Sequence, residues 1–183
     1  MARILVLYAS FDGQTARIAH RVAMALEGSG HGVTLRSIEE PAPARDIEDH
    51  DAVIVGGAIR FGHHARALEE LVRQHAGAIA ARPNAFFSVS LSAGGPGARP
   101  AEAMRRVDQF RERTGWEPNE VATFAGALQY SKYNPFIRFM MRLIVGAAGG
   151  QTDASRDYEY TDWKAVDRFA VRFGVRLEEP VAA

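Results

Sequence analysis

The run Ile4-Leu5-Val6-Leu7-Tyr8, followed at once by Ser10-Phe11-Asp12-Gly13 and then by a helical apolar period, constrains this chain more than any other feature. A strand that is apolar on both faces belongs inside a parallel sheet with helices on either side. Ile18, Val22 and Leu26 recur at i, i+4, i+8 with Ala19 and Ala23 beside them, and glycines follow at 28 and 30. That spacing predicts an amphipathic helix over 14–27 with a glycine stop. Further strand runs fall at 33–38, 52–56, 85–91 and 121–125. Helical periods lie between most of them: Leu68, Leu71, Val72 and His75 mark one, and Met104, Val107 and Phe110 mark another. A last helix, capped by Thr161 or Asp162, carries Trp163, Val166, Phe169, Ala170 and Phe173 on one face. Alternation of this kind predicts a doubly wound α/β fold with a five-stranded parallel sheet. Residues 39–46, with prolines at 41 and 43, are expected to form an exposed loop.

At 183 residues the chain suits a single domain over 1–183. With 22 basic and 22 acidic residues its formal net charge is zero, which gives no electrostatic footprint for nucleic acid. It has no cysteine, so disulfides, thiolate metal sites and thiol nucleophiles are excluded, and no metal-binding spacing of histidines occurs. The apolar N-terminal run is too short to span a bilayer and has no signal cleavage region, which makes a cytoplasmic protein the expectation.

About 35 residues separate the fifth strand run from the last helix, too many for a plain connection, so an insertion with structure of its own is expected at about 127–160. Its middle, from Pro135 to Val145, is apolar on nearly every side apart from Arg138 and Arg142, four residues apart.

In an open parallel sheet the ligand site lies beyond the carboxyl ends of the strands. The loop Ser10-Phe11-Asp12-Gly13-Gln14-Thr15 offers a glycine turn, hydroxyls and free N–H groups at a helix N-terminus, an arrangement that binds phosphate without lysine. No Gly-Lys pair marks a Walker loop and no G-x-G-x-x-G follows a strand, which disfavours a nucleoside triphosphate or dinucleotide. The loops 57–64 and 92–97 bring further glycines to the same rim.

The phosphate loop resembles the flavodoxin signature, and the wider chain is similar to the menaquinone-dependent protoporphyrinogen oxidase family, flavodoxin-like enzymes of haem synthesis. The matching pieces are Asp12-Gly13-Gln14-Thr15, Ile59-Arg60-Phe61-Gly62-His63, Ala125-Gly126-Ala127-Leu128 with Tyr130 and Tyr133, Arg138-Phe139-Met140, Gly149-Gly150 with Thr152-Asp153, and Tyr160-Thr161-Asp162-Trp163. The resemblance implies strand order 2-1-3-4-5 with the insertion after or within the fifth strand, bound FMN, and oxidation of protoporphyrinogen IX with menaquinone or ubiquinone as acceptor. By the same resemblance Ser10, Asp12, Gly13, Gln14 and Thr15 would form the phosphate loop. Ala58, Ile59, Arg60, Phe61 and Gly62 would lie along the flavin, with Leu91, Ser92, Ala93, Gly94 and Gly95 opposite.

Asp12 departs from the flavodoxin pattern. A carboxylate beside a phosphate dianion repels it, so Asp12 is expected to turn back and cap the helix. No residue stands out as an essential base; Arg60 and His63 are the catalytic candidates, with His64 beside them. The loop 92–97 has no aromatic residue, which leaves one flavin face open to a flat substrate unless Phe61, Tyr130 or Tyr133 covers it. Tyr130, Lys132, Tyr133, Arg138 and Arg142 are candidates for contact with substrate or with a membrane surface, where the insertion helix would lie peripherally on the inner face. The same helix also suits burial over the sheet or a homo-oligomer interface. An electron carrier or an NAD(P)H-dependent quinone reductase of the same fold is the alternative function.

Overall fold

The computed structural model describes residues 1–40, 44–95, 97–147 and 149–178. Prolines 41 and 43, and Pro96 in the 92–97 loop, lie outside the described residues. The main elements are β1 (Arg3–Ala9), α1 (Gln14–Gly28), β2 (Gly32–Ser37), α2 (Ala44–Glu48), β3 (Ala52–Arg60) and the short β4 (His63–His64). They continue with α3 (Arg66–Ala80), β5 (Asn84–Ser90), α4 (Pro100–Thr114) and β6 (Glu120–Ala125). The chain then runs through β7 (Ala127–Leu128), α5 (Pro135–Ala147), β8 (Tyr158–Glu159) and α6 (Trp163–Glu178). Helix α2 begins within the stretch expected to be loop.

Strands β2-β1-β3-β5-β6 pair in parallel in that order. Counted among the five long strands, this is the expected 2-1-3-4-5. The near-continuous apolar character of the strands has a direct cause, since each face of the sheet is buried. Ile4, Val6, Ile54 and Phe87 face α1 and α6, whereas Leu5, Leu7, Val53 and Phe86 face the layer of α3 and α4. Phe86 stacks on Phe110 with ring centroids 4.5 Å apart, and Phe87 packs against Phe124 and Phe169. Burial of this kind, at about 25 cal/mol per Å² of apolar surface, is the dominant stabilising contribution.

Three local expectations change. Met104 is exposed, since α4 turns Ala103, Val107 and Phe110 inward instead. Asp162, and not Thr161, caps α6, its carboxylate accepting the Ala165 N–H at 3.1 Å. Thr161 donates to the Ala125 carbonyl at 2.8 Å and so closes the end of β6. Strand β3 also runs four residues further than its apolar run and turns back as a hairpin, with Arg60 opposite His63. The two-residue loop, Phe61 at φ 50° and Gly62 at φ 83°, has the positive-φ pattern of a type I′ turn. Phe61 is the only described non-glycine residue with positive φ, and the hairpin holds its ring largely exposed at the sheet rim.

The insertion is pinned at its base by the antiparallel pair β7–β8, Ala127 opposite Glu159 and Leu128 opposite Tyr158. Its own small core is Leu128, Tyr130 and Val145. Polar ties supplement it: Tyr130 Oη donates to the Gln151 carbonyl at 2.9 Å, and Ser131 donates through N and Oγ to Asp157 at 2.9 and 2.6 Å.

Candidate functional site

A cavity of about 270 Å³ opens at the carboxyl ends of β1, β3 and β5. It is bounded by the loop after β1 (Ser10, Phe11, Asp12, Gln14, Thr15), the end of β3 and its hairpin (Ala58, Ile59, Arg60, Phe61, Gly62), and the segment after β5 (Ser90, Leu91, Ser92). The insertion closes one side with Tyr133, Ile137 and Met141. A second cavity of about 220 Å³ adjoins it, shares Leu91, Ser92 and Glu102, and is walled by Gly94, Leu128, Val145 and Tyr160.

The phosphate-type loop owes its shape to Gly13, whose φ of 95° is the left-handed conformation that glycine accepts without strain. Ser10 Oγ accepts the Gly13 N–H at 3.0 Å and closes the turn. The first-turn N–H groups of α1 follow, without partners inside the helix, at its positive end. The Gln14 side chain is engaged within the protein. Its amide donates to Thr161 Oγ1 at 2.8 Å and Glu159 Oε1 at 3.1 Å, and its carbonyl accepts from Arg17, so it fastens α1 to the base of the insertion. Arg17 also pairs with Glu159 at 2.9 Å, and the Glu159 carboxyl stays below its ordinary range, burial opposing and Arg17 and Gln14 outweighing it.

Asp12 makes no cap. The N-cap of α1 is Gly13, without a side-chain hydrogen bond, and the Asp12 carboxylate lies 3.5 Å from Arg60. Arg60 in turn lies over the rings of Phe11 and Phe61, its guanidinium carbon 5.3 and 5.7 Å from their centroids. The carboxylate therefore offsets a cation held between two aromatic rings at the cavity mouth.

Other expected residues part company. His63 does not line the main cavity; it lies in a separate depression behind Arg60 and Phe61. His64 points into the core, bonds Ser88 Oγ at 2.9 Å and packs against Phe86 and Phe110. Burial, then the nearby Arg113, Arg106 and His63, pushes its imidazole down to about 4, so it is neutral at pH 7. Ala93 and Gly95 stay off the cavity wall, Gly95 because it packs under the Tyr160 ring, where a Cβ would come within 2.8 Å. Tyr130 is fully buried in the insertion and cannot cover the cavity. Arg138 turns back to donate twice to the Tyr130 carbonyl, at 3.2 and 2.9 Å, so it buttresses the insertion. Arg142 is exposed beside Phe139, outside the main cavity. Lys132 reaches the Asp12 carbonyl, across the phosphate-type loop.

Sequence reasoning passed over Glu102 and Arg106, which face the cavity from α4. Their i, i+4 spacing just after the loop following β5 was the available signal, and they bond each other at 3.3 Å. Ile137 and Met141 show the same spacing on α5. Tyr133 keeps its phenol proton: burial, then the charge of Asp12, raises it.

A flavin mononucleotide fits these features. A glycine cradle and helix N-terminus suit its phosphate, an apolar slot suits its rings, and Ser90 Oγ lies buried on the wall with no partner among the described residues.

A doubly wound sheet with this loop and cavity defines a flavodoxin-type domain, and the family model described as Flavodoxin domain matches residues 5–155. Flavodoxin 2 of Bacillus cereus superposes with a TM-score of 0.59 at 20% identity, covering 96% of this chain and 99% of that one, a likeness of fold. A protoporphyrinogen IX dehydrogenase [quinone] of Escherichia coli (strain K12) is 35% identical over 181 residues, 97% of this chain and 98% of the relative. A Leishmania major protein of the same name is 35% identical over 172 residues, 93% of this chain and 74% of the relative. The chain belongs to the flavodoxin-domain family and, within it, to the family of these protoporphyrinogen IX dehydrogenases. It is by that membership an oxidoreductase whose cofactor is a flavin.

Proposed function

We propose that this chain is an FMN-dependent protoporphyrinogen IX dehydrogenase that passes electrons to menaquinone or ubiquinone in haem biosynthesis. The observation that carries the proposal is one cavity with a phosphate-type loop at one end and, after β5, a wall made by Leu91 and Ser92 with no aromatic ring. Such a wall puts no ring on that side, the cavity's aromatic residues Phe11, Phe61 and Tyr133 coming from the β1 loop, the β3 hairpin and the insertion, and this favours a broad flat substrate beside the flavin. FMN, when bound, would supply the hydride acceptor and the relay of electrons to quinone.

The chain's own part is placement and charge. Gly13, Gln14 and Thr15 offer backbone N–H groups to the phosphate, and the Ser90 hydroxyl offers a polar contact to the ring system. Arg60 and Arg106, both at the cavity, suit the two carboxylates of the substrate, since a guanidinium matches a carboxylate in a bidentate fork. With His64 buried and neutral and His63 outside the main cavity, neither imidazole is placed to take the substrate's protons, which leaves solvent at the mouth as the acceptor in this reading.

Helix α5 supports a membrane partner. Phe136, Phe139, Met140 and Leu143 form an exposed stripe at i, i+3, i+4, i+7, and Ile137 and Met141 face the cavity from the other side. No described helix is long and apolar enough to cross a membrane. A helix of this kind lies in the interface, with its apolar stripe among acyl chains and Arg142 near the headgroups. One domain over 1–183, seated on the cytoplasmic face of the membrane, would then offer quinone a short path to the cavity. A homo-oligomer covering the same stripe is the competing occupant.

The test is anaerobic: FMN-loaded protein is mixed with protoporphyrinogen IX and a soluble menaquinone analogue, and porphyrin fluorescence is followed against a flavin-free control. Flavin-dependent growth is the expected result. Protein that carries FMN but gives no growth above control overturns the reading in favour of a carrier or an NAD(P)H quinone reductase.

A further inference from the structure

Three features of the insertion converge on the phosphate-type loop. The first is the ammonium of Lys132, which crosses from the turn before α5 to donate to the Asp12 carbonyl. It lies so close to the loop that a Cβ at Gly13 would be 3.2 Å from Nζ. The second is composition. Only Lys132 and Lys164 are lysines among the 22 basic residues, and the loop 10–15 itself has no cation. The third is positioning. Tyr130 is fully buried, Ser131 is held through two hydrogen bonds by Asp157, and Tyr133 lines the cavity, so the residues on either side fix the direction from which Lys132 arrives.

Charge completes the argument. Asp12, the acidic residue of the loop, is turned to Arg60, so its repulsion of an incoming anion is offset there. An ammonium has three N–H donors, and the described residues take one of Lys132's. The remaining donors lie at the N-terminus of α1, where the helix dipole already favours negative charge.

We infer that Lys132 is the cation that holds the phosphate monoester of the flavin, so that the insertion, and not only the sheet loops, selects FMN over unphosphorylated flavin. This rests on the FMN reading above and adds to it a residue and a specificity. It also couples the two halves of the site. The turn that carries Lys132 leads directly into the cavity wall formed by Tyr133 and Ile137.

The test compares FMN and riboflavin. Wild-type protein and the Lys132→Met and Lys132→Arg variants are titrated with each flavin by fluorescence quenching at low and high salt. Thermal melts confirm that each variant is folded. Lys132→Met is expected to weaken FMN about tenfold, the scale of one charge-assisted hydrogen bond, and to leave riboflavin unchanged. Its FMN affinity also loses much of the wild-type salt dependence, and Lys132→Arg restores most of the preference. An equal loss for both flavins in Lys132→Met assigns the residue a structural role and overturns the inference, as does an unchanged FMN affinity. If the wild-type protein itself shows no preference for FMN, the FMN reading falls first and this inference with it.

Discussion

The two walls of the cavity are built by different physics. The sheet wall rests on strands whose inward residues, from Ile4 through Leu7 and Val53 through Val55, are completely buried on two faces. The insertion wall rests on a core of three buried residues, a two-residue strand pair and a set of polar ties, and its helix leaves Phe136, Phe139 and Leu143 exposed. A region held mainly by hydrogen bonds and ion pairs near solvent has little to gain from any one of them, because each contributes about 1 kcal/mol or less. The site thus joins a tightly packed half to a half that opens at lower cost, which agrees with the proposed passage of a large substrate and a quinone.

The sharpest way to break the comparison is to empty the sheet core. Phe87→Ala removes a ring that touches both Phe124 and Phe169, and is expected to cost roughly 3–5 kcal/mol in urea unfolding. A smaller cost would mean that the sheet wall is no better packed than the insertion.

The second test uses pH. His64 is held at about 4 in the fold against an ordinary value near 6.5, so the unfolded chain binds more protons between those values. Its contribution is fully present above pH 6.5 and is lost as pH falls toward 4. The full span is worth roughly 3 kcal/mol at most. His64→Gln should flatten that part of the stability profile relative to wild type, and identical profiles would show that His64 does not report on the core.

Next, Tyr130→Phe deletes the bond to Gln151 and should destabilise the insertion by about 1 kcal/mol. The expected signature is faster hydrogen exchange over 128–147 with unchanged exchange in β1, β3 and β5. Uniform acceleration would make the two walls one cooperative unit. Smallest in stability, Phe139→Ser with Leu143→Ser should shift unfolding by no more than about 0.5 kcal/mol because both side chains are exposed. The same pair should weaken binding to anionic phospholipid vesicles by about tenfold. Unchanged vesicle binding with a lost dimer on sedimentation would give the stripe to a second copy.

The same contrast sets what the sequence could reveal. Ile4 to Tyr8 and the helix period Ile18, Val22, Leu26 are legible because burial of a strand on two faces, or of a helix on one, leaves a regular apolar pattern. Glycine and hydroxyl residues marked the phosphate-type loop for a similar reason, since its conformation needs them. Asp12 was expected to cap α1 and pairs instead with Arg60, and the ties of Gln14 to Thr161 and of Lys132 to the Asp12 carbonyl could not be foreseen, because these partners lie far along the chain. No local spacing encodes such partners. Met104 misled for a different reason: on a helix with this much arginine, a single apolar residue sits on the wet side without penalty.

The placement of α6 has a consequence for how the chain emerges from the ribosome. Val166, Phe169 and Phe173 cover the same sheet face as α1 and are translated after the whole insertion. Until they appear, Phe87 and Phe124 have no lid on their C-terminal side, while the apolar stripe of α5 is already in the open. Synthesis therefore passes through an interval with two sticky surfaces on one nascent chain, and the last helix ends it for the sheet alone.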